Sequence, residues 1–261
     1  MISANVPTYA EELYAALRAR RPIAPLTARE PSLSIDDAYH ISRQLLARRI
    51  RDGERLIGKK TGVTSKVVQQ ALGVDQPDFG YLSDVMRYPD GATLPISRLA
   101  IAPRAEGEIA FVLERELRGP GVSAADVLAA TAYVQPCFEI VDSRIADWKI
   151  KIQDTIADNA SSGMFVLGGK PVAAHDLDFV TCGMVVWKNG EVLSTGAGAA
   201  ALGSPLHCVA WLANTLGARG ETLAPGEVIL SGSLVPLEPV RAGDFMQLRI
   251  AGIGEASVRF E

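Results

Sequence analysis

Three carboxylates, Glu106, Glu108 and Glu139, stand in stretches whose neighbours call for burial. The run Arg104 to Leu113 ends in residues that favour strand, and in a strand alternate side chains share a face. Glu106 and Glu108 should therefore project together while Ile109, Phe111 and Leu113 pack on the other side. Glu139 lies in Pro136-Cys137-Phe138-Glu139-Ile140-Val141, a short apolar run that also reads as strand. A buried carboxylate is expensive to keep ionised, and two side by side repel. A divalent cation would relieve both penalties, and hard oxygen ligands suit magnesium, manganese or calcium better than zinc. The same spacing also fits a solvated sheet face or ion pairs to Arg or Lys, and nothing in it makes the two strands meet.

The elements that must position these groups fall into two textures. The first third reads helical. Thr8 to Glu11 resembles a capping box ahead of Leu13 and Leu17, and Ser34 should cap a second helix carrying Ala38, Ile41 and Leu45. A short helix from about Ser65 to Leu72 should stop at Gly73. Leu56 to Thr64 reads as a strand, and Asp75 to Leu82, with Pro77 and Gly80 at its joints, as a turn. From about Pro95 onward, short strands and Gly-rich turns take over. Ser123 and Asp126 should cap a helix through Ala132. Asn189-Gly190 marks a tight hairpin within Met184 to Ser194, and Ser204-Pro205 opens a helix closed by Gly217. Further strands are expected near Glu227 to Leu230, Phe245 to Ile250 and Val258. The Gly/Ala-rich run Gly196 to Gly203 has neither a phosphate-loop Lys nor dinucleotide spacing.

The whole chain excludes several classes of function. Its 261 residues are 48% hydrophobic and 21% charged, enough for a substantial core. A net charge of −4 with no basic stripe argues against a nucleic-acid partner. Met1 to Arg21 lacks the apolar segment of a secretory signal, and no apolar run approaches the roughly 20 residues that span a bilayer. Cys137, Cys182 and Cys208 are odd in number and widely spaced, so buried thiols in a reducing cytoplasm are expected. His40, His175 and His207 do not assemble into a metal set.

Four motifs occur in one order: Gly58-Lys59-Lys60-Thr61-Gly62-Val63-Thr64-Ser65, Gln76-Pro77-Asp78-Phe79-Gly80, Glu106-Gly107-Glu108, and Asp154 to Ser161. With Gly196 to Pro205 and Ser231 to Pro239, they make the chain resemble, almost end to end, the 2-hydroxypenta-2,4-dienoate hydratases (2-oxopent-4-enoate hydratases) of the fumarylacetoacetate hydrolase superfamily. The resemblance implies an α+β fold: a mixed β-sandwich roll over residues 91–261, preceded by a smaller, mostly helical region over 1–90. It also implies a divalent metal, Mg2+ or Mn2+, held by Glu106, Glu108 and Glu139. The expected substrate is a 2-hydroxy-dienoate or 2-oxo acid of aromatic meta-cleavage degradation. A homo-oligomer, and a complex with 4-oxalocrotonate decarboxylase, are the expected assemblies.

In that setting Lys60 is expected to bind the substrate carboxylate or act as an acid, with Lys59 on the other face. Asp78 is the candidate to orient or deprotonate water, or else a turn Asp bonded to its own backbone. Asp158, Asn159 and Ser161 are candidates to hold Lys60 or the substrate carboxylate, with Asp158 alternatively anchoring a metal ligand. Arg144 is expected to pair with Asp142 or Asp147. The rival activity is decarboxylation of 2-oxo-3-hexenedioate (4-oxalocrotonate). Acylpyruvate hydrolysis and a passive role beside a decarboxylase are the more distant readings.

Overall fold

A computed structural model describes residues 2–261. The N-terminal helices are α1 (Val6–Ala19), α2 (Leu26–Arg29) and α3 (Ile35–Arg51). α1 starts earlier than Thr8. Its N-cap is Asn5, without a side-chain bond, and Pro7 occupies the first turn, where its missing N–H is harmless. α3 is closed by a full Ser34/Asp37 capping box. The strand expected from Leu56 is β1 (Leu56–Gly62), and α4 (Lys66–Leu72) is capped by Ser65 and ended by Gly73 at φ 66°. The turn expected over Asp75 to Leu82 is only half a turn. Past Pro77 the chain is extended as β2 (Asp78–Ser83), every residue of which is buried.

The remaining elements, in chain order, are β3 (Arg87–Pro89), β4 (Thr93–Leu94), α5 (Ile96–Leu99), β5 (Arg104–Leu113), α6 (Ala124–Ala130), β6 (Thr131–Val141), α7 (Ile152–Ala157), β7 (Ser162–Leu167), β8 (Gly183–Lys188), β9 (Glu191–Ala197), α8 (Pro205–Gly217), β10 (Val228–Leu230), β11 (Glu238–Pro239), β12 (Phe245–Ile250) and β13 (Gly254–Phe260). They build a mixed sheet in the order β2-β1-β10-β5-β6-β7-β3, with β11 also on β5, and a second sheet in the order β4-β13-β12-β8-β9. The β8–β9 hairpin turns at Asn189 and Gly190, both at positive φ as a type I′ connection demands. The α+β class with curled sheets and N-terminal helices is as expected. A boundary near residue 90, however, would cut the larger sheet, because β1, β2 and β3 all belong to it. Strand pairing across that point binds the two regions together.

The larger sheet curls until β2 approaches β7: a Cβ on Gly80 would overlap the Asn159 carbonyl and crowd the Ser162 hydroxyl. Its outer face meets the main core, with Ile109, Phe111 and Leu113 from β5 and Phe138 and Ile140 from β6, covered by the second sheet and the helices. Its inner face is divided. One end is a dry plug of Leu82, Ala110, Val112, Cys137, Phe165 and Leu230, with neighbours. The other end carries the charged residues.

Candidate active site

Period-two alternation places Glu106 and Glu108 on the inner face of β5, and register supplies the third carboxylate. Glu106 lies directly opposite Glu139 on the antiparallel β6. Side chains paired this way have Cβ atoms about 5 Å apart, a spacing at which like charges are destabilising. Lys60 comes from β1 on the same face, and Asp78, aligned with Gly62 by the β1–β2 pairing, completes the cluster. Lys59 points to the opposite face, where its Nζ donates to both carboxylate oxygens of Glu227 at 2.6 and 2.7 Å.

Four carboxylates thus surround one ammonium, and little else satisfies them. Lys60 Nζ is 3.4 Å from Glu139 Oε1. Glu108 Oε2 accepts from the Gly232 amide at 2.8 Å, and Asp78 Oδ2 accepts from Thr155 Oγ1 at 3.3 Å. Glu108 Oε1, both Glu139 oxygens, Asp78 Oδ1 and the Ser161 hydroxyl are buried without a hydrogen-bond partner. One oxygen from each of Glu106, Glu108 and Glu139 falls within 4.8 Å of the others. Buried polar groups are normally paired, so an all-oxygen, three-carboxylate set with open lone pairs fits a hard divalent cation.

Electrostatics agrees. Burial, then the Glu139 charge, lifts Glu106 to about 8. Burial and the neighbouring carboxylates lift Glu108, and burial lifts Glu139 in spite of Lys60. For Lys60 burial works downward, but Glu139, Asp78, Glu106 and Glu108 together outweigh it and raise its pKa, so it stays an ammonium. Asp78 is raised by burial against the pull of Lys60.

Two glycines make this convergence possible. A Cβ on Gly62 would overlap Asp78 Oδ1 and stand 3.3 Å from Lys60 Nζ. Gly232 sits at φ +95° against Thr64, a conformation open to glycine that turns its N–H onto Glu108. Neither glycine, nor Thr155, stood out in the sequence as a site residue; the Gly62 and Gly232 motifs were the available signal.

Lys60, Asp78, Glu106, Thr155 and Ser161 line one cavity of about 370 Å3. Asp158 and Asn159 do not reach its wall. Asp158 is bound by Arg144, through the backbone N–H at 2.8 Å and the guanidinium Nε at 2.5 Å, and Arg144 Nη1 also donates to the carbonyls of Asp142 and Ser162. Arg144 therefore pairs with Asp158, not with the side chain of Asp142 or Asp147. Asp142 instead accepts from the backbone of Ile101 and Ala102, and Asp147 pairs with Lys149. The Asn159 amide is spent on the Tyr81 backbone, accepting at 2.8 Å and donating at 2.9 Å. Between them Asn159, Ala160 and Ser161 all have positive φ, at 56°, 50° and 52°. Such a left-handed turn costs about 1–2 kcal/mol per residue, and the Arg144 and Asn159 bonds hold it, with Ser161 at the cavity.

Comparison with known proteins places this geometry in a family. The sequence profile described as fumarylacetoacetate (FAA) hydrolase C-terminal matches residues 62–261. The chain is 65% identical over 210 residues to a 2-hydroxypent-2,4-dienoate hydratase of Pseudomonas putida, a match covering 80% of this chain and 95% of that protein. It is 55% identical over 256 residues to a 2-hydroxyhexa-2,4-dienoate hydratase of Comamonas testosteroni, covering 98% and 97%. Its structure resembles 4-oxalocrotonate decarboxylase from Pseudomonas putida G7, complexed with magnesium and adipate, with a TM-score of 0.95 at 38% identity over 98% of this chain and 97% of that one. With a family match over most of its length and relatives matched nearly end to end, the chain belongs to the fumarylacetoacetate hydrolase C-terminal family.

Proposed function

We propose that this protein is a divalent-cation-dependent hydro-lyase that adds water to 2-hydroxypenta-2,4-dienoate and forms 4-hydroxy-2-oxopentanoate in the meta-cleavage degradation of aromatic compounds. The observation that carries this reading is the set of buried, unpartnered oxygens of Glu108, Glu139 and Asp78 around Lys60, beside a cavity lined by Lys60, Asp78 and Glu106, in a chain related to hydratases. Glu106, Glu108 and Glu139 would hold the cation, Mg2+ or Mn2+. When bound, it would supply a chelating Lewis acid for the substrate carboxylate and carbon-2 oxygen.

The chain's own groups account for the rest. Lys60, kept protonated by its carboxylate neighbours, offers a fixed positive charge to the substrate's carboxylate end. The reaction relocates two protons: one passes from the carbon-2 hydroxyl to carbon 5, and the added water delivers hydroxide to carbon 4 and its other proton to carbon 3. Asp78 is the group suited to take the water proton. Its raised pKa makes it a stronger base than an exposed carboxylate, and Thr155 holds one oxygen while leaving the other free. The Ser161 hydroxyl is placed to donate to a substrate oxygen. Asp158 and Asn159 serve the site by holding the turn that carries Ser161.

Decarboxylation of 2-oxo-3-hexenedioate could use the same carboxylates, but the relatives at 65% and 55% identity are hydratases, whereas the decarboxylase neighbour stands at 38%. Both substrates offered separately to the Mg2+-loaded protein decide between them. Loss of dienol absorbance with 4-hydroxy-2-oxopentanoate as product supports hydration, and carbon dioxide release from the hexenedioate alone refutes it. Three buried free thiols fit the reducing cytoplasm we propose as its location. No described helix is long and apolar enough to cross a membrane. The exposed Val192 and Leu193 on the edge strand β9 support a homo-oligomer, and association with a decarboxylase is proposed from the resemblance alone.

A further inference from the structure

Arg104 has every local reason to pair with the clustered carboxylates and does not. It stands two residues before Glu106 on the same face of β5, and its pairing with Val141 makes Glu139 a diagonal neighbour. Same-face neighbours along a strand and diagonal neighbours across it are about 7 Å apart, within reach of an arginine. Yet Lys60 is the cation that meets Glu139, at 3.4 Å, and the one whose charge bears on Glu106. The Arg104 guanidinium lies instead 4.7 Å from the centroid of the Trp148 ring, and Trp148 lines the cavity while Arg104 stands outside it.

The ring is held there against the preference of its own backbone. Asp147 and Trp148 have positive φ, at 58° and 54°, a conformation disfavoured for any residue with a Cβ. Such strain persists only where the surroundings over-determine it. Here the indole Nε1 donates to the Ala102 carbonyl at 3.0 Å, just before β5 begins, and the Trp148 carbonyl accepts from the Ile150 amide at 2.9 Å.

We infer that Trp148 is a positioning residue: its ring face holds the Arg104 guanidinium away from Glu106 and Glu139 and so keeps their oxygens open for the cation. The inference rests on the cation-binding reading above and adds to it a residue that supplies no ligand oxygen. A guanidinium is attracted to the face of an indole by the ring quadrupole. Released from it, Arg104 finds carboxylates in a half-buried site and donates to them in charge-assisted bonds. Each such bond occupies lone pairs and offsets charge that a hard cation needs.

Mg2+ titrated calorimetrically into the metal-free protein, with no substrate present, tests this through a double-mutant cycle. Trp148→Leu should weaken Mg2+ binding by about three- to tenfold. In the Arg104→Gln background the same substitution should change the affinity by less than about twofold. Trp148→Phe, which keeps a ring face but loses the Nε1 bond, should fall between wild type and Trp148→Leu. Trp148→Met supplies the same cycle if the leucine variant does not fold. Undiminished affinity in Trp148→Leu, or a loss that persists in full beside Arg104→Gln, overturns the inference and leaves the cation site standing. A wild-type protein that binds neither Mg2+ nor Mn2+ overturns both.

Discussion

Two buried charge clusters, one around Lys60 and one around Arg144, are handled in opposite ways. Around Arg144 and Asp158 every polar atom is spoken for: the guanidinium reaches the Asp158 carboxylate and three backbone carbonyls, and the Arg144 amide takes the second carboxylate oxygen. Around Lys60 the Glu108, Glu139 and Asp78 carboxylates are as deeply buried, yet Glu139 has no hydrogen-bonded oxygen and Glu108 and Asp78 each keep one open. Closed networks hold a fold together, whereas open lone pairs under the same desolvation penalty mark where a ligand is meant to complete the set. The contrast separates a group that shapes the site, Asp158, from those that face it, Lys60, Asp78 and Ser161.

Substitutions on each side should fail in different ways. Glu106→Gln should lower kcat/KM roughly a thousandfold, the order of several kcal/mol that a bound Lewis acid contributes. The same change should leave the metal-free Tm equal or higher, because it replaces a carboxyl that burial and the Glu139 charge make costly to ionise with a neutral amide of the same shape. A large fall in Tm would place Glu106 in the structural class. Asp158→Ala should do the reverse, destabilising the fold by about 3–5 kcal/mol through the stranded Arg144 charge. Calorimetry should read this as a Tm drop on the order of 10 °C; an unchanged Tm with lost activity would instead make Asp158 a group of the open cluster.

Proton linkage sharpens the comparison further. The folded, metal-free chain holds the Glu106 proton up to about 8, while the unfolded chain releases it near 4.5. The stabilisation is therefore full below 4.5 and is lost as pH rises through 8. Metal-free Tm should decline from pH 6 to 9, and the Tm gain on adding Mg2+ should grow over the same range as cation displaces fewer protons. A Tm gain independent of pH would contradict the buried, proton-holding cluster. The smallest effect is expected for Thr155→Val, which removes one donor from Asp78. A loss of about three- to tenfold in kcat with little change in KM, the worth of one hydrogen bond, distinguishes a positioning hydroxyl from a packing one.

Much of this was legible before folding is considered. The capping residues Ser34, Ser65 and Ser123 begin their helices where side-chain chemistry requires, and Asn189-Gly190 turns its hairpin. Alternation alone puts Glu106 and Glu108 on one face and sends Lys59 and Lys60 to opposite faces. Where local reading failed, a longer-range pairing decided. Asp78 looked like a turn residue, but β1 draws it into a strand. Residues 56–89 looked like part of a helical region, but their strands join the larger sheet. Arg144 has acidic neighbours at Asp142 and Asp147, yet the desolvated partner 14 residues away wins.

By itself, then, the chain determined what acts over a few bonds: caps, turns, the two-residue period of its strands, and a supply of carboxylates in apolar surroundings. Only the tertiary structure decided that Glu139 stands opposite Glu106, that Lys60 and Asp78 share their pocket, and that Asp158 belongs to Arg144. Those outcomes depend on strand register and sheet curl, which are set by the burial of distant surfaces against one another and leave no mark in any short stretch of sequence.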